Sequence, residues 1–413
     1  MTSRPHEPQP NAPSGTRWLN RTVLGIGLAS LFSDWSHEIA TTVMPAFLAT
    51  MGAAAAWVGL IEGISDGLSS FTKMGSGYFT DRLKRRKPIA VAGYLVTALG
   101  TASLGLATEP WHVLLSRAGA WLGRGVRTPV RKALLAASVT RETYGRAFGF
   151  ERMMDTLGAI AGAASAFALL QFFNHRYPPL FTATLIPGFA AAALITFVVK
   201  EKNRAPVAHS SFGESLRQLP GGYRKFLAAV GLFGAGDFAH TLLILFAAQR
   251  LAPVVGAPKA ASMAAALYVM HNVFYASFAI VAGWMADRMP KTALLAGAYA
   301  TAAAMSAVLI AAPPGIWTLG IVFVLGGIYV AAEETLEDSI CAELVGEHQH
   351  GMAFGVLATV NGVGDFISSI AVGALWSAFG TTAAFSYSLI LSLGGALLVL
   401  RLHSNWRSAP GAS

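Results

Sequence analysis

The chain has 413 residues, 54% hydrophobic and only 12% charged, about half the charged share of an ordinary soluble domain, so a water-soluble globule is excluded and lipid is the principal solvent. The net charge of +9 raises nucleic acid as a partner, but the basic residues fall in short loops and not along one soluble face, and no nucleic-acid partner is expected. A single cysteine, Cys341, rules out an internal disulfide.

In chain order, residues 1–21 are polar and Pro-rich, and the apolar run behind them is too long and too acidic for a cleaved leader. They are expected to form a disordered cytoplasmic tail. About 20 apolar residues cross a hydrocarbon core of roughly 30 Å, and twelve stretches meet that length, near 22–48, 56–80, 88–108, 111–136, 145–173, 179–199, 226–249, 260–286, 291–312, 315–342, 351–379 and 382–402. The fold class that follows is all-α integral membrane, with an N-terminal six-helix bundle at 22–199, a linker at 200–225, a C-terminal six-helix bundle at 226–402 and a tail at 403–413. With both termini inside, 23 of the 30 Lys and Arg residues fall in cytoplasmic segments, while the outer loops hold only Arg176, Arg250 and Lys259. That asymmetry orients the chain as a multi-pass protein of the cytoplasmic (inner) membrane with both termini cytoplasmic.

The loop after the second stretch runs Gly77-Tyr78-Phe79-Thr80-Asp81-Arg82-Leu83-Lys84-Arg85-Arg86-Lys87-Pro88-Ile89, and a weaker copy starts at Gly283 and passes through Asp287 and Arg288. Gly77 and Gly283, like Asp81 and Asp287, lie 206 positions apart, half the chain. At the same offset Gly145, Ala147, Phe148, Gly149 and Gly158 recur as Gly351, Ala353, Phe354, Gly355 and Gly364. The chain is an internal duplication. Its first loop resembles the signature of the major facilitator superfamily of secondary transporters, matching at Gly77, Asp81, Arg82, Arg85, Arg86 and Ile89 and placing Lys84 where that family has a second Gly.

The resemblance implies two pseudo-symmetric six-helix halves related by an axis along the membrane normal, with helices 1, 4, 7 and 10 around a central cavity. It also implies that Asp81 lies against the N-terminus of helix 11, and Asp287 against that of helix 5, where the helix dipole favours an anion. Gly77, Asp81, Arg82, Arg85, Asp287 and Arg288 would then belong to a gate. The repeat adds charge to it: Arg127 aligns with Glu333, Arg131 with Glu337 and Lys132 with Asp338. Opposite charges would meet there when the cytoplasmic side closes.

Inside the spans an ionised side chain costs about 2.5–3.5 kcal/mol even on the lenient insertion scale, so those present need partners or a task. Spacing brings Asp34 beside His37 and Glu38 on one face of helix 1. Gly236-Asp237-Phe238-Ala239-His240 echoes this in helix 7, and the two pairs point at each other in the implied fold. Asp66, Asp155, His271 and Asn272 add polar groups, and Arg124 is either a cavity cation or a partner of Glu151 or Asp155. Carboxylate and imidazole switch charge within an accessible pH range, so this set reads as a proton-coupling or substrate-binding centre; the alternative is that each His merely satisfies its neighbouring Asp.

No Gly-rich phosphate loop and no His-Glu-x-x-His is present, so neither an ATP-driven pump nor an enzyme is expected, and no cofactor. The leading reading is a proton-coupled secondary transporter exporting a drug-like or toxic solute by alternating access, a monomer whose partners are lipid, the solute and protons. One alternative is a divalent metal or metal-chelate carrier using Asp34, His37, Asp237 and His240 as ligands. The other is a sensor, assembly factor or enzyme on the same fold.

Overall fold

A computed structural model of the protein describes residues 17–53, 55–201, 211–311 and 315–407, excepting the side chains at 55, 56, 58, 59, 66 and 403–407. The expectations for the tail at 1–16 and for the Asp66 side chain therefore lie outside the described residues, as does most of the linker. Among the described residues there are fifteen α-helices and no strand. The N-terminal half comprises α1 (Arg21–Thr50), α2 (Ala55–Asp81), α3 (Lys87–Ser103), α4 (Pro110–Ala136), α5 (Tyr144–Phe172), α6 (Tyr177–Ala183) and α7 (Leu185–Phe197). After a short α8 (Phe212–Arg217), the second half comprises α9 (Gly221–Gly234), α10 (His240–Val255), α11 (Ala257–Ala286), α12 (Lys291–Ala311), α13 (Ile316–Leu344), α14 (His350–Phe379) and α15 (Thr381–Arg407). With α6–α7 and α9–α10 each counted as one broken span, these make six spans per half.

Local chemistry sets the ends. Asn20 caps α1, its Oδ1 accepting from the amides of Thr22 and Val23 at 2.8 and 3.0 Å. Helix α8 begins inside the expected linker because Ser211 and Glu214 form a reciprocal capping box. Gly256, at φ +83, turns α10 into α11 in a conformation that only glycine adopts without strain.

Eight helical segments are long and apolar enough to cross a membrane. The spans outside that group are α1, α2, α4 and α9–α10. The first three carry ionisable residues at mid-span, and the fourth is cut in two. Packing follows the duplication: α1 lies on α5 as α9 lies on α14, α2 on α4 as α11 on α13, and α3 on α7 as α12 on α15.

The break between α9 and α10 corrects the expectation of one continuous helix over 226–249. Gly231, Gly234 and Gly236 weaken the helix, and the opened backbone is met from neighbouring helices. The Asp237 carbonyl accepts from Ser368 Oγ, the Ala239 amide donates to Ser369 Oγ at 3.3 Å, and the Ala235 carbonyl accepts from Tyr387 Oη at 2.9 Å. Unwound backbone at membrane depth persists only where such partners or a cavity satisfy it. Asp237 thus lies in an irregular segment, and the helical i, i+3 relation to His240 expected from Asp34 and His37 does not exist there.

Candidate functional site

The residues expected to form a gate lie where the loop ends of the two halves meet. Asp81, at the end of α2, accepts from the Gly351 and Met352 amides at 3.0 and 2.7 Å. Asp287, after α11, accepts from the Gly145 and Arg146 amides at 2.8 and 3.2 Å. Each carboxylate caps the N-terminus of a helix from the other half, where unpaired amides and the dipole both favour an anion. The helices cross backbone to backbone. A Cβ built on Gly77 would fall 2.2 Å from the Gly351 carbonyl oxygen, and one on Gly145 would fall 2.3 Å from that of Gly283. Arg86, 1% exposed, bonds Asp81 at 2.8 Å and the Glu347 carbonyl at 3.1 Å. Among the described residues several polar contacts between halves gather at this loop end, while Thr359 Oγ1 donates to the Ser70 carbonyl at 3.1 Å deeper in the bundle.

Of the three charge pairs expected from the repeat, the structure brings one together: Lys132 Nζ lies 2.6 Å from Asp338 Oδ1. The other two do not meet. Arg131 turns into its own half, 2.8 Å from Glu151 and 3.3 Å from Asp155, while Glu337 accepts from Tyr299 Oη at 2.6 Å and Asn361 Nδ2 at 2.7 Å. Arg127 reaches Asp34 at 3.6 Å, and Glu333 remains elsewhere on α13. The offset aligned residues along each helix but carried no information on which way a side chain turns. A cross-half bridge not anticipated from sequence is Arg152, 2.9 Å from Glu334 and 3.9 Å from Asp338; its only signal was an unassigned Arg within a span. Among the remaining gate residues, Arg82 lies 3.5 Å over the Tyr78 ring, Arg288 lies 3.8 Å over Trp284, and Arg85 is exposed.

In the first half, Asp34 is 4% exposed and pairs with Arg124 at 3.1 Å and Arg127 at 3.6 Å. The expected contact of Asp34 with His37 and Glu38 is replaced by these guanidinium groups, because α4 presents a column of arginines to α1. Arg124 accordingly finds neither Glu151 nor Asp155; Asp155 is held by Arg131 and Arg152, each at 3.3 Å. One turn further, Arg117 donates to His37 Nε2 at 3.2 Å, to Thr41 Oγ1 at 3.0 Å and to Glu62 at 3.1 Å. An arginine can only donate, so His37 Nε2 carries a lone pair and the ring is neutral.

The second half is built differently. Asp237 accepts from Tyr329 Oη at 2.7 Å, with no cation beside it among the described residues. His240 and His271 rings lie 4.6 Å apart, with His271 stacked on Tyr268, and Asn272 is spent on the Tyr268 carbonyl at 2.9 Å. The first-half and second-half Asp and His therefore do not form matching pairs. Nor do the described residues gather three His, Cys, Asp or Glu side chains in a metal-holding group, and His37 has a guanidinium as its neighbour, a poor setting for a cation.

Comparisons with known proteins agree with this architecture. A sequence model described as Major Facilitator Superfamily matches residues 26–256 and 230–412. An uncharacterised MFS-type transporter of Methanocaldococcus jannaschii is 26% identical over 387 residues, 93% of this chain and 95% of that one. The multidrug resistance protein MdtH of Salmonella paratyphi B is 32% identical over 181 residues, 40% of this chain and 44% of that one. Among solved structures, the human organic anion transporter MFSD10 superposes with a TM-score of 0.72 at 15% identity, over 92% of this chain and 99% of that one.

Proposed function

This chain belongs to the major facilitator superfamily of membrane transporters, and on that premise we propose that it is a proton-coupled exporter of a small, drug-like solute, working by alternating access. The observation that carries the reading is the distribution of contacts between halves. Two carboxylate-capped helix ends, two glycine crossings and the Lys132–Asp338 bridge sit toward the loop end, with the Arg152–Glu334 bridge deeper in the spans. A carrier closed on one side needs such contacts, individually modest and breakable in parallel. In this reading the loop end faces the cytoplasm, as the Lys and Arg distribution favours, and the state described is outward-facing. Partial similarity to a multidrug resistance protein supports export.

Protons would be taken by interior carboxylates whose charge can be traded against the solute. Asp34 does so against Arg124 and Arg127, and Asp237 against a tyrosine hydroxyl alone. The metal-carrier alternative finds no ligand group among the described residues. Purified protein in liposomes, loaded with a fluorescent drug and given an inward proton gradient, is expected to expel the drug and dissipate the gradient together. Asp237→Asn, which keeps size and hydrogen bonding, is expected to abolish the gradient dependence. Drug movement indifferent to the gradient in the parent protein would remove proton coupling from this reading.

A further inference from the structure

At the end of the second half away from the loop contacts, α10, α12, α13 and α15 leave a cavity of about 190 Å³ between them. Protein interiors are packed like organic crystals, and a cavity of roughly 150 Å³ already accommodates benzene, so this one is of ligand size. Its walls are of two kinds. Val308, Leu309 and Ile310 of α12 with Leu319 of α13 form an apolar side, closed by Phe246, whose ring stands edge-on to Phe385 at 5.2 Å and to Trp376 at 6.0 Å. Arg250 of α10 with Thr318, Thr381 and Thr382 forms the polar side, and none of the lining residues is acidic. Arg250 and Thr382 are exposed while Phe246 and Leu319 are buried, so the polar side is the mouth.

The first half fills the corresponding corner. The 206 offset that aligns the loop signatures places Leu104 at Ile310 and Val113 at Leu319, and both are buried, at 1% and 0% exposed. Helix α1 aligns with α9–α10 at 203, the separation of Asp34 from Asp237, which sets Phe47 at Arg250. Phe47 packs its ring 5.0 Å from that of Phe181 and 5.2 Å from that of Tyr177, in one apolar cluster with Leu104 and Val113. An aromatic plug in one half is an arginine in the other, and the space it leaves stays open.

Arg250 is not spent within the protein. Among the described residues its contacts are Thr381 Oγ1 at 3.4 Å and the Phe246 ring, whose centroid lies 5.0 Å from the guanidinium, with no carboxylate. A guanidinium stays charged and presents five donors in a fixed fork that matches phosphate and carboxylate. Thr381 and Thr382 lie in the first turn of α15 and Thr318 in that of α13; neither turn carries an acidic residue, so both helix dipoles add to the guanidinium. Trp317, next to Thr318, is 86% exposed, as tryptophans are at the level of lipid headgroups. A cation at the mouth of an apolar chamber at that depth fits a ligand with an anionic head and an apolar body.

We propose that this cavity binds an amphipathic anion, its phosphate held by Arg250 and the threonine hydroxyls and its hydrocarbon against Val308, Leu309 and Leu319. A bilayer phospholipid and a soluble alkyl phosphate present the same chemistry. The site lies apart from the interior carboxylates and does not depend on the transporter reading.

Binding is read as a rise in the apparent unfolding temperature of the full chain in a neutral detergent, with hexyl phosphate as the probe and hexyltrimethylammonium and inorganic phosphate as controls for charge and chain. A saturable rise with hexyl phosphate alone is expected. Arg250→Gln is expected to weaken it roughly tenfold, the loss of one charge-assisted contact, and Val308→Phe, which refills the apolar side, to weaken it as well. If Val308→Phe does not fold, Arg250→Gln carries the test from an exposed position. Displacement of hexyl phosphate by phosphatidylglycerol assigns the site to a bilayer lipid, and failure to displace it assigns the site to a soluble amphipathic anion. No saturable response to hexyl phosphate, an equal rise with hexyltrimethylammonium or with inorganic phosphate, or unchanged affinity in Arg250→Gln would overturn the site.

Discussion

The two halves share a backbone plan and differ in how they treat charge. In the first, Arg117, Arg124, Arg127 and Arg131 of α4 each lie against a carboxylate. In the second, the equivalent helix α13 carries Glu333, Glu334, Glu337 and Asp338, and the cations that reach Glu334 and Asp338 are Arg152 and Lys132 of the first half. Duplication copied the scaffold while the sign of the charges diverged: the first half pairs its own arginines, and the second draws cations from the first through Lys132 and Arg152.

That contrast is most open to challenge through stability. Arg131→Gln strands Glu151, 1% exposed, and removing one member of a buried pair costs about 3–5 kcal/mol. Its apparent unfolding temperature in detergent is expected to fall steeply, while Glu333→Gln leaves that temperature unchanged or higher. Equal losses in the two variants would erase the distinction between the halves.

The proposed gate offers a smaller effect. Gly77→Ala puts a methyl against the Gly351 carbonyl, and overpacking of that kind costs roughly 1–3 kcal/mol, a penalty borne only while the loop end is closed. A cysteine introduced as Met352→Cys, with Cys341 replaced by serine, is expected to react faster with a water-soluble maleimide in that background; an unchanged rate would mean the crossing does not hold the gate.

Double-mutant cycles address the pairing itself. Exchanging Lys132 and Asp338 is expected to recover about 0.5–3 kcal/mol relative to the sum of the single changes, the range for residues in contact. The same exchange of Arg131 and Glu337 is expected to be additive, because each is bonded within its own half. Coupling of similar size in both cycles would show that repeat alignment, and not the observed geometry, governs the gate. Smallest of all, Arg85→Ala, exposed beyond the gate, is expected to stay within about 0.5 kcal/mol, measured by the same unfolding assay.

Most of the spans were legible because membrane crossing imposes length and apolarity, even though ionisable residues leave α1, α2 and α4 less apolar than the rest, and the loop signature because Gly77 and Asp81 serve backbone geometry that few other residues meet. Span seven was not. Gly236-Asp237-Phe238-Ala239-His240 resembles Ser33-Asp34-Trp35-Ser36-His37 closely enough to suggest the same helix, and the serines and tyrosine that accommodate the break lie some 130 to 150 positions away on α14 and α15. Partner choice was equally hidden. Which carboxylate Arg131 reaches depends on how α4 faces α1 and α5, themselves closely packed with Gly158 against Leu31 and Gly162 against Trp35, and no spacing along one helix encodes it.

The crossed locks have a further implication. Asp81 with Gly77 meets Gly351 and Met352, and Asp287 with Gly283 meets Gly145 and Arg146. Residue i of one half touches j of the other, and j of the first touches i of the second. This is the reciprocity of an isologous interface between identical subunits. A six-helix unit bearing both an acidic end on its second helix and a bare glycine start on its fifth would be complementary to its own copy, so the fused chain retains the contact surface of a homodimer, and its two halves, expressed as separate polypeptides, carry the information to find each other.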